Sequence, residues 1–134
     1  MSIGEKAKAI HAEGFNCAQS VVAALAEKLG IDELGAKQFA AGFGGGLRSG
    51  EACGAVTGAV MALGVGTAQD GIGSKDVPVA EYSKTLVREF KEKYGAVRCN
   101  DLLMSTGGSH DKCDEYISWC AERAAELIDA HRSK

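Results

Sequence analysis

"GFGGGLRSGEACGAVTGAVMALGVG" occupies Gly42–Gly66 of a 134-residue chain. Its opening is rich in glycine and carries Arg48 as its only cation. The backbone there can enter turns that are closed to residues with a Cβ. From Ala52 to Gln69 no charge occurs at all. That run is slightly short of a membrane span, so it reads as a core helix. The spacing predicts a helix from about Glu51 to Val65 that is apolar on every face and therefore central. Gly54, Gly58 and Ala62 recur at steps of four, so neighbouring helices can approach it closely. Cys53 sits at the junction between the loop and this helix.

Outward from this segment, glycine clusters at 42–50, 64–73 and 107–108 and the single Pro78 divide the chain. No period-two alternation marks a strand. A first helix is predicted over 3–13, with Ile3, Ala7 and Ile10 on one face, ending at Gly14. Asn16 caps a second over 17–29, with Cys17, Val21, Ala24, Leu25 and Leu29 in line and Gly30 closing it. Asp32 caps a short third helix reaching Ala41. Pro78 starts a helix over 78–94 that aligns Val79, Tyr82, Leu86, Phe90 and Tyr94 and ends at Gly95. A short helix begins near Cys99. A last long one, over 112–131 and capped by Asp111, carries Cys113, Ile117, Cys120, Ala124, Leu127 and His131 on one stripe. The expectation is one all-α domain over 1–134, a compact bundle of six to seven helices around an apolar, glycine-rich central helix.

Charge and composition narrow the function. Net charge is −3 with both signs dispersed. Without a basic stripe, and with few aromatics to stack on bases, nucleic-acid binding is disfavoured. "MSIGEKAKAIHAEG" places lysines and glutamates where a signal peptide needs an apolar run, so a cytoplasmic protein without membrane attachment is expected. Five cysteines are an odd number in a chain not marked for secretion. Structural disulfides are therefore disfavoured, which leaves metal binding, thiol redox chemistry or packing.

Four of the five cysteines fall at predicted helix starts: Cys17, Cys53, Cys99 and Cys113. Unpaired N–H groups and the positive end of the helix dipole favour a thiolate there. Cys120 lies mid-helix and reads as core. The cysteine spacings are 36, 46, 14 and 7, with no Cys-x-x-Cys. That excludes zinc-ribbon, thioredoxin-type and c-haem motifs. A metal cluster or a dithiol assembled from distant helices remains. In the glycine loop, the backbone of Gly44, Gly45 and Gly46 and the charge of Arg48 are candidates to cradle an anionic centre. The same loop lacks a phosphate-binding lysine motif and a preceding strand, which argues against nucleotides. His110, three residues before Cys113, reads as a loop histidine near a cap or as a further ligand.

"FNCAQSVVAAL" (15–25), "GFGGGLRSGEACGAVTGAVMALG" (42–64), "CNDLL" (99–103) and Cys113 together resemble the C_GCAxxG_C_C family. In one respect the chain departs from the family label: Ala52 precedes Cys53, and Gly54, Ala55 and Gly58 follow it. The resemblance implies a small helical redox protein, with relatives in split-Soret cytochromes c whose non-haem iron–sulfur centre accompanies haem. No haem attachment motif is present here. The resemblance maps the four family cysteines onto Cys17, Cys53, Cys99 and Cys113 and leaves Cys120 as an addition.

Three functions follow. The first is electron transfer through an iron–sulfur cluster, of the [2Fe–2S] type, ligated by Cys17, Cys53, Cys99 and Cys113 and serving a redox partner protein. The second is a metal-free thiol–disulfide cycle with Cys53 as nucleophile and Cys17 or Cys99 resolving it. The third is a non-redox helical interaction module with buried cysteines. The sequence leaves open whether the chain is itself an oxidoreductase or an accessory protein. Its sparse bulky residues make a homodimer an expectation.

Overall fold

The computed structural model describes residues 1–134 and contains seven helices: α1 (Ile3–Ala12), α2 (Cys17–Leu29), α3 (Glu33–Ala40), α4 (Gly54–Thr67), α5 (Pro78–Tyr94), α6 (Cys99–Ser105) and α7 (Cys113–Arg132). A short 3-10 turn at Ala41–Phe43 and a wide turn at Gly46–Gly50 join α3 to α4. The all-helical expectation holds, with one isolated antiparallel bridge between Ala52 and Arg98 as the sole extended pairing.

Local chemistry explains most boundaries. The Ser2 hydroxyl accepts from Glu5 N while the Glu5 carboxylate accepts from Ser2 N, closing a capping box on α1. Asn16 and Gln19 do the same for α2. The Asp32 carboxylate accepts from Gly35 N at 2.8 Å to open α3. Gly30 and Gly95 take left-handed conformations that end α2 and α5. Each cap satisfies backbone groups that the helix itself cannot pair.

α7 departs from expectation. Its cap is Lys112, in helical conformation and without a side-chain bond, not Asp111. The preceding loop already turns helically, with Cys113 N donating to His110 O at 3.0 Å. A side chain at 111 therefore stands outside the capping position, and its backbone N–H donates instead to Ser109 Oγ.

α4 lies against α2, α5 and α7. Its approach to α2 depends on glycine. A Cβ on Gly58 would lie 2.7 Å from the Ala18 carbonyl oxygen, and one on Gly54 would lie 3.1 Å from Ala18 N and 3.2 Å from Cys17 Cβ. Across this seam Ala18, Val21, Ala55 and Ala59 are buried. Leu25, Leu63, Leu86, Phe90, Ile117, Ile128 and Cys120 fill the centre with no solvent contact. Around Phe90 the rings of Tyr94 and Tyr116 pack at 4.8 and 5.5 Å between centroids, in the tilted and edge-on geometries that ring quadrupoles favour.

The central helix is not buried on every side. Val60, Met61, Gly64 and Val65 line an open apolar groove of about 670 Å³ together with Ile31, Phe39 and Val79. Small residues along α4 bring its neighbours close but leave them too narrow to enclose it.

Two substitutions in α4 should act in opposite directions. Gly58→Ala drives a methyl into the Ala18 carbonyl and should cost about 1–3 kcal/mol, as overpacking does. Gly64→Ala meets no atom within 4 Å and removes the helical penalty of glycine, so it should stabilise by up to about 1 kcal/mol. Urea unfolding followed by circular dichroism reads both, and equal effects would contradict the packing described.

Candidate functional site

Asn16 places Cys17 at the first helical position of α2. Cys99 and Cys113 hold the same position in α6 and α7, and Cys53 is the residue that precedes α4. All four line one cavity of about 90 Å³, with Gly45, Leu102, Leu103, His110 and Tyr116 among its walls. That volume equals roughly three water molecules at about 30 Å³ each. It is far below the roughly 300–1,000 Å³ of sites for organic cofactors. The space suits a compact group of a few heavy atoms.

Two devices assemble the cage. The first is the Ala52–Arg98 bridge, in which Cys53 N donates to Val97 O at 2.8 Å and Cys99 N donates to Glu51 O at 2.6 Å. These two bonds hold the backbone of Cys53 beside that of Cys99, and both residues line the cavity. The Arg98 guanidinium donates to the Glu51 carboxylate at 3.2 Å. The second device is the meeting of the α2 and α7 starts, which brings Cys17 and Cys113 to the same cavity.

Electrostatics separate the four thiols. Cys113 is pulled down to about 6, chiefly because the Cys17 thiol stabilises its anion, with further help from His110, whose Nδ1 lies 3.6 Å from its sulfur. Cys17 is driven up, first by giving its proton to that contact and then by burial. Burial pushes Cys53 up to about 11, although the Ala55 and Val56 N–H groups pull the other way. Cys99 is raised by burial and by the nearby Cys113 charge. The expectation of four depressed thiols therefore holds only at Cys113. Desolvation outweighs the helix dipole at Cys53 and Cys99. Cys120 is completely buried in the core, and burial holds it firmly protonated.

The glycine loop acts mainly as scaffold. Gly45 lines the cavity. Gly44 is pressed against the Asn16 side chain, where a Cβ would lie 2.6 Å from Asn16 Cβ. At Gly46, with φ +64°, a Cβ would lie 2.5 Å from Glu51 O and 2.8 Å from Cys99 Cβ. Leu47 and Arg48 continue the left-handed turn at φ +62° and +58°. Arg48 is exposed and outside the cavity. No group of three or more His, Cys, Asp or Glu side chains is arranged to hold a metal ion.

Sequence reading missed the Ala52–Arg98 bridge and the apolar wall of Leu102, Leu103 and Tyr116. Three residues on each side of the bridge are too few to show a strand period.

A family model described as "Putative redox-active protein (C_GCAxxG_C_C)" matches residues 15–127. The chain belongs to the C_GCAxxG_C_C family. No curated protein and no solved structure matches it. The match runs from α2 into α7, so it spans all four cysteines that line the cavity. No helix is long and apolar enough to cross a membrane.

The pH dependence of alkylation tests this electrostatic order. In metal-free protein, Cys113 should react with iodoacetamide with a midpoint near pH 6, and Cys53 only as pH approaches about 11. Because Cys17 is the larger cause, Cys17→Ala should raise the Cys113 midpoint more than His110→Ala does. Peptide mass spectrometry resolves the sites, and a Cys113 midpoint near the ordinary thiol value of about 8.5 would refute the order.

Proposed function

We propose that this redox-family protein carries single electrons, with Cys17, Cys53, Cys99 and Cys113 ligating an iron–sulfur cluster of the [2Fe–2S] type. The observation that carries this reading is the convergence of four thiols, from four separate helix starts, on one small cavity. Four cysteines are the usual ligand set of such clusters, and the volume suits a few heavy atoms. When bound, the cluster would supply a one-electron couple whose potential depends on charge, hydrogen bonds to sulfur and exposure.

The chain's own residues define that environment. Leu102, Leu103 and Tyr116 wall the cavity and limit water. Ala55 and Val56 N–H groups favour negative charge on Cys53, and His110 does so on Cys113. The small cavity leaves no room for an organic substrate beside the sulfurs, so electrons would pass to a partner protein.

A second reading rests on Cys17 and Cys113 lining the same small cavity. Two thiols there could yield two electrons and two protons to a disulfide-bearing partner, with Cys113 as the attacking thiolate. Cys53 is a poor nucleophile by comparison, since burial holds it protonated.

Anaerobic purification separates the readings. The cluster predicts brown protein with two irons and two sulfides per chain by analogy with the cluster formula. Cys53→Ala should abolish the visible absorbance, whereas Cys120→Ala should leave it intact. Colourless wild-type protein that loses two thiols on mild oxidation would favour the dithiol, and equal bleaching by both variants would refute the ligand assignment.

A further inference from the structure

Three aromatic rings form a continuous path from the cage to the surface. Tyr116 is buried and lines the cysteine cavity. Its ring meets that of Tyr94 edge-on, with 4.8 Å between centroids. Tyr94 in turn meets Trp119 edge-on at 6.3 Å. Tyr94 and Trp119 both line an open groove on the outside of the molecule, where Trp119 is partly exposed. Phe90 stands 5.5 Å from Tyr116, 4.8 Å from Tyr94 and 5.8 Å from Trp119, and so holds all three in place. The chain has one tryptophan and three tyrosines. Only Tyr82 lies outside this group, packed against His131.

Packing alone does not account for the choice of rings. The Tyr94 hydroxyl is buried without a hydrogen-bond partner, and a buried group left unpaired costs its desolvation in full. Phenylalanine would keep every ring contact and avoid that cost. Tyrosine and tryptophan offer something phenylalanine does not, a ring that yields one electron to a strong oxidant. Thiolates yield one more readily still. An electron vacancy created at Trp119 therefore runs downhill through the tyrosines to the sulfurs.

We infer that Tyr116, Tyr94 and Trp119 conduct single electrons from the cage thiols to strong one-electron oxidants at the Trp119 groove. Trp119 gives an electron to the oxidant and becomes an indole radical cation. An electron from a cage thiolate refills it through Tyr116 and Tyr94, which end unchanged. The thiyl radical left behind bonds to a second cage thiolate. The disulfide radical anion so formed passes its extra electron outward to a second oxidant. The net change is one disulfide formed, two protons released to solvent and two oxidant molecules each reduced by one electron. Rings and thiols belong to the chain itself, so this activity does not require a bound cluster.

Flash photolysis of the metal-free full chain tests the path. The oxidant is tris(bipyridine)ruthenium(III), generated in the flash with a cobalt(III) quencher. Wild-type protein should show a short-lived Trp119 radical, lose two thiols per chain under continued flashing and keep Trp119 intact by mass spectrometry. Tyr94→Phe and Tyr116→Phe should each prolong the radical several-fold, spare the thiols and leave Trp119 oxidised. Tyr82→Phe should match wild type. Tyr94→Phe removes only the unpaired hydroxyl, so the fold should persist, which circular dichroism checks. Thiol loss at the wild-type rate in Trp119→Phe would show that the oxidant reaches the cage directly and would overturn the path. An unchanged radical lifetime in both tyrosine variants would overturn it too, as would a long-lived wild-type radical with every thiol retained. Failure to take up iron and sulfide would remove the cluster reading alone, since no cluster enters this measurement.

Discussion

The seam between α2 and α4 fixes the rest of the molecule. Gly54 and Gly58 place bare backbone against Cys17 and Ala18, close enough that one methyl group would collide with a carbonyl oxygen. That contact sets two helices start to start and thereby puts Cys17 within reach of Cys53. It also explains why an uncharged helix carries so few bulky residues. The larger apolar side chains come from its neighbours, with Leu25 from α2, Leu86 and Phe90 from α5, and Ile117 and Ile128 from α7. The helix serves as a narrow spacer whose value lies in closeness rather than in buried area.

Inside the cage, two opposing electrostatic effects have different magnitudes. A helix N-terminus favours an anion by about 0.3–1 kcal/mol at ordinary sites. Removing a charge from water can shift a pKa by several units, each worth about 1.4 kcal/mol. Cys53 shows the outcome: N–H groups aim at its sulfur, yet burial holds the thiol at about 11. Cys113 escapes because it is half-exposed and receives a proton donor from Cys17. Of the four thiols, only Cys113 is shifted toward its anion. Cationic metal would reverse this balance, since ligating thiols are deprotonated by the metal itself.

Much of this was legible in the sequence, for identifiable reasons. α2 and α5 match their predicted bounds because each has a start signal, Asn16 or Pro78, and a glycine stop. The four site cysteines were recognisable because they cluster at helix starts and recur in the family pattern. Their mutual relations were not legible. Ala52 and Arg98 lie 46 positions apart and form a single bridge, so no periodicity announces them. Asp111 looked like a cap because aspartate favours that position, but the helical turn at His110–Cys113 moves the cap to Lys112. The thiol acidities failed for a third reason. Dipole effects can be read from local sequence, whereas desolvation depends on Leu102, Leu103 and Tyr116 arriving from elsewhere.

The cage also ties the least self-sufficient part of the fold to the most robust. α6 has seven residues and buries only Leu102. Isolated helices of that length are unstable in water. It is held by the bridge to the segment before α4, by the left-handed turn beneath it and by the site itself. The α2–α4–α7 core has no such dependence, since its seams are continuous and apolar. Any group that links Cys99 to Cys17, Cys53 and Cys113 therefore fastens a short peripheral helix onto a stable core. Binding energy in the cage would appear as added order in α6, which buries only Leu102.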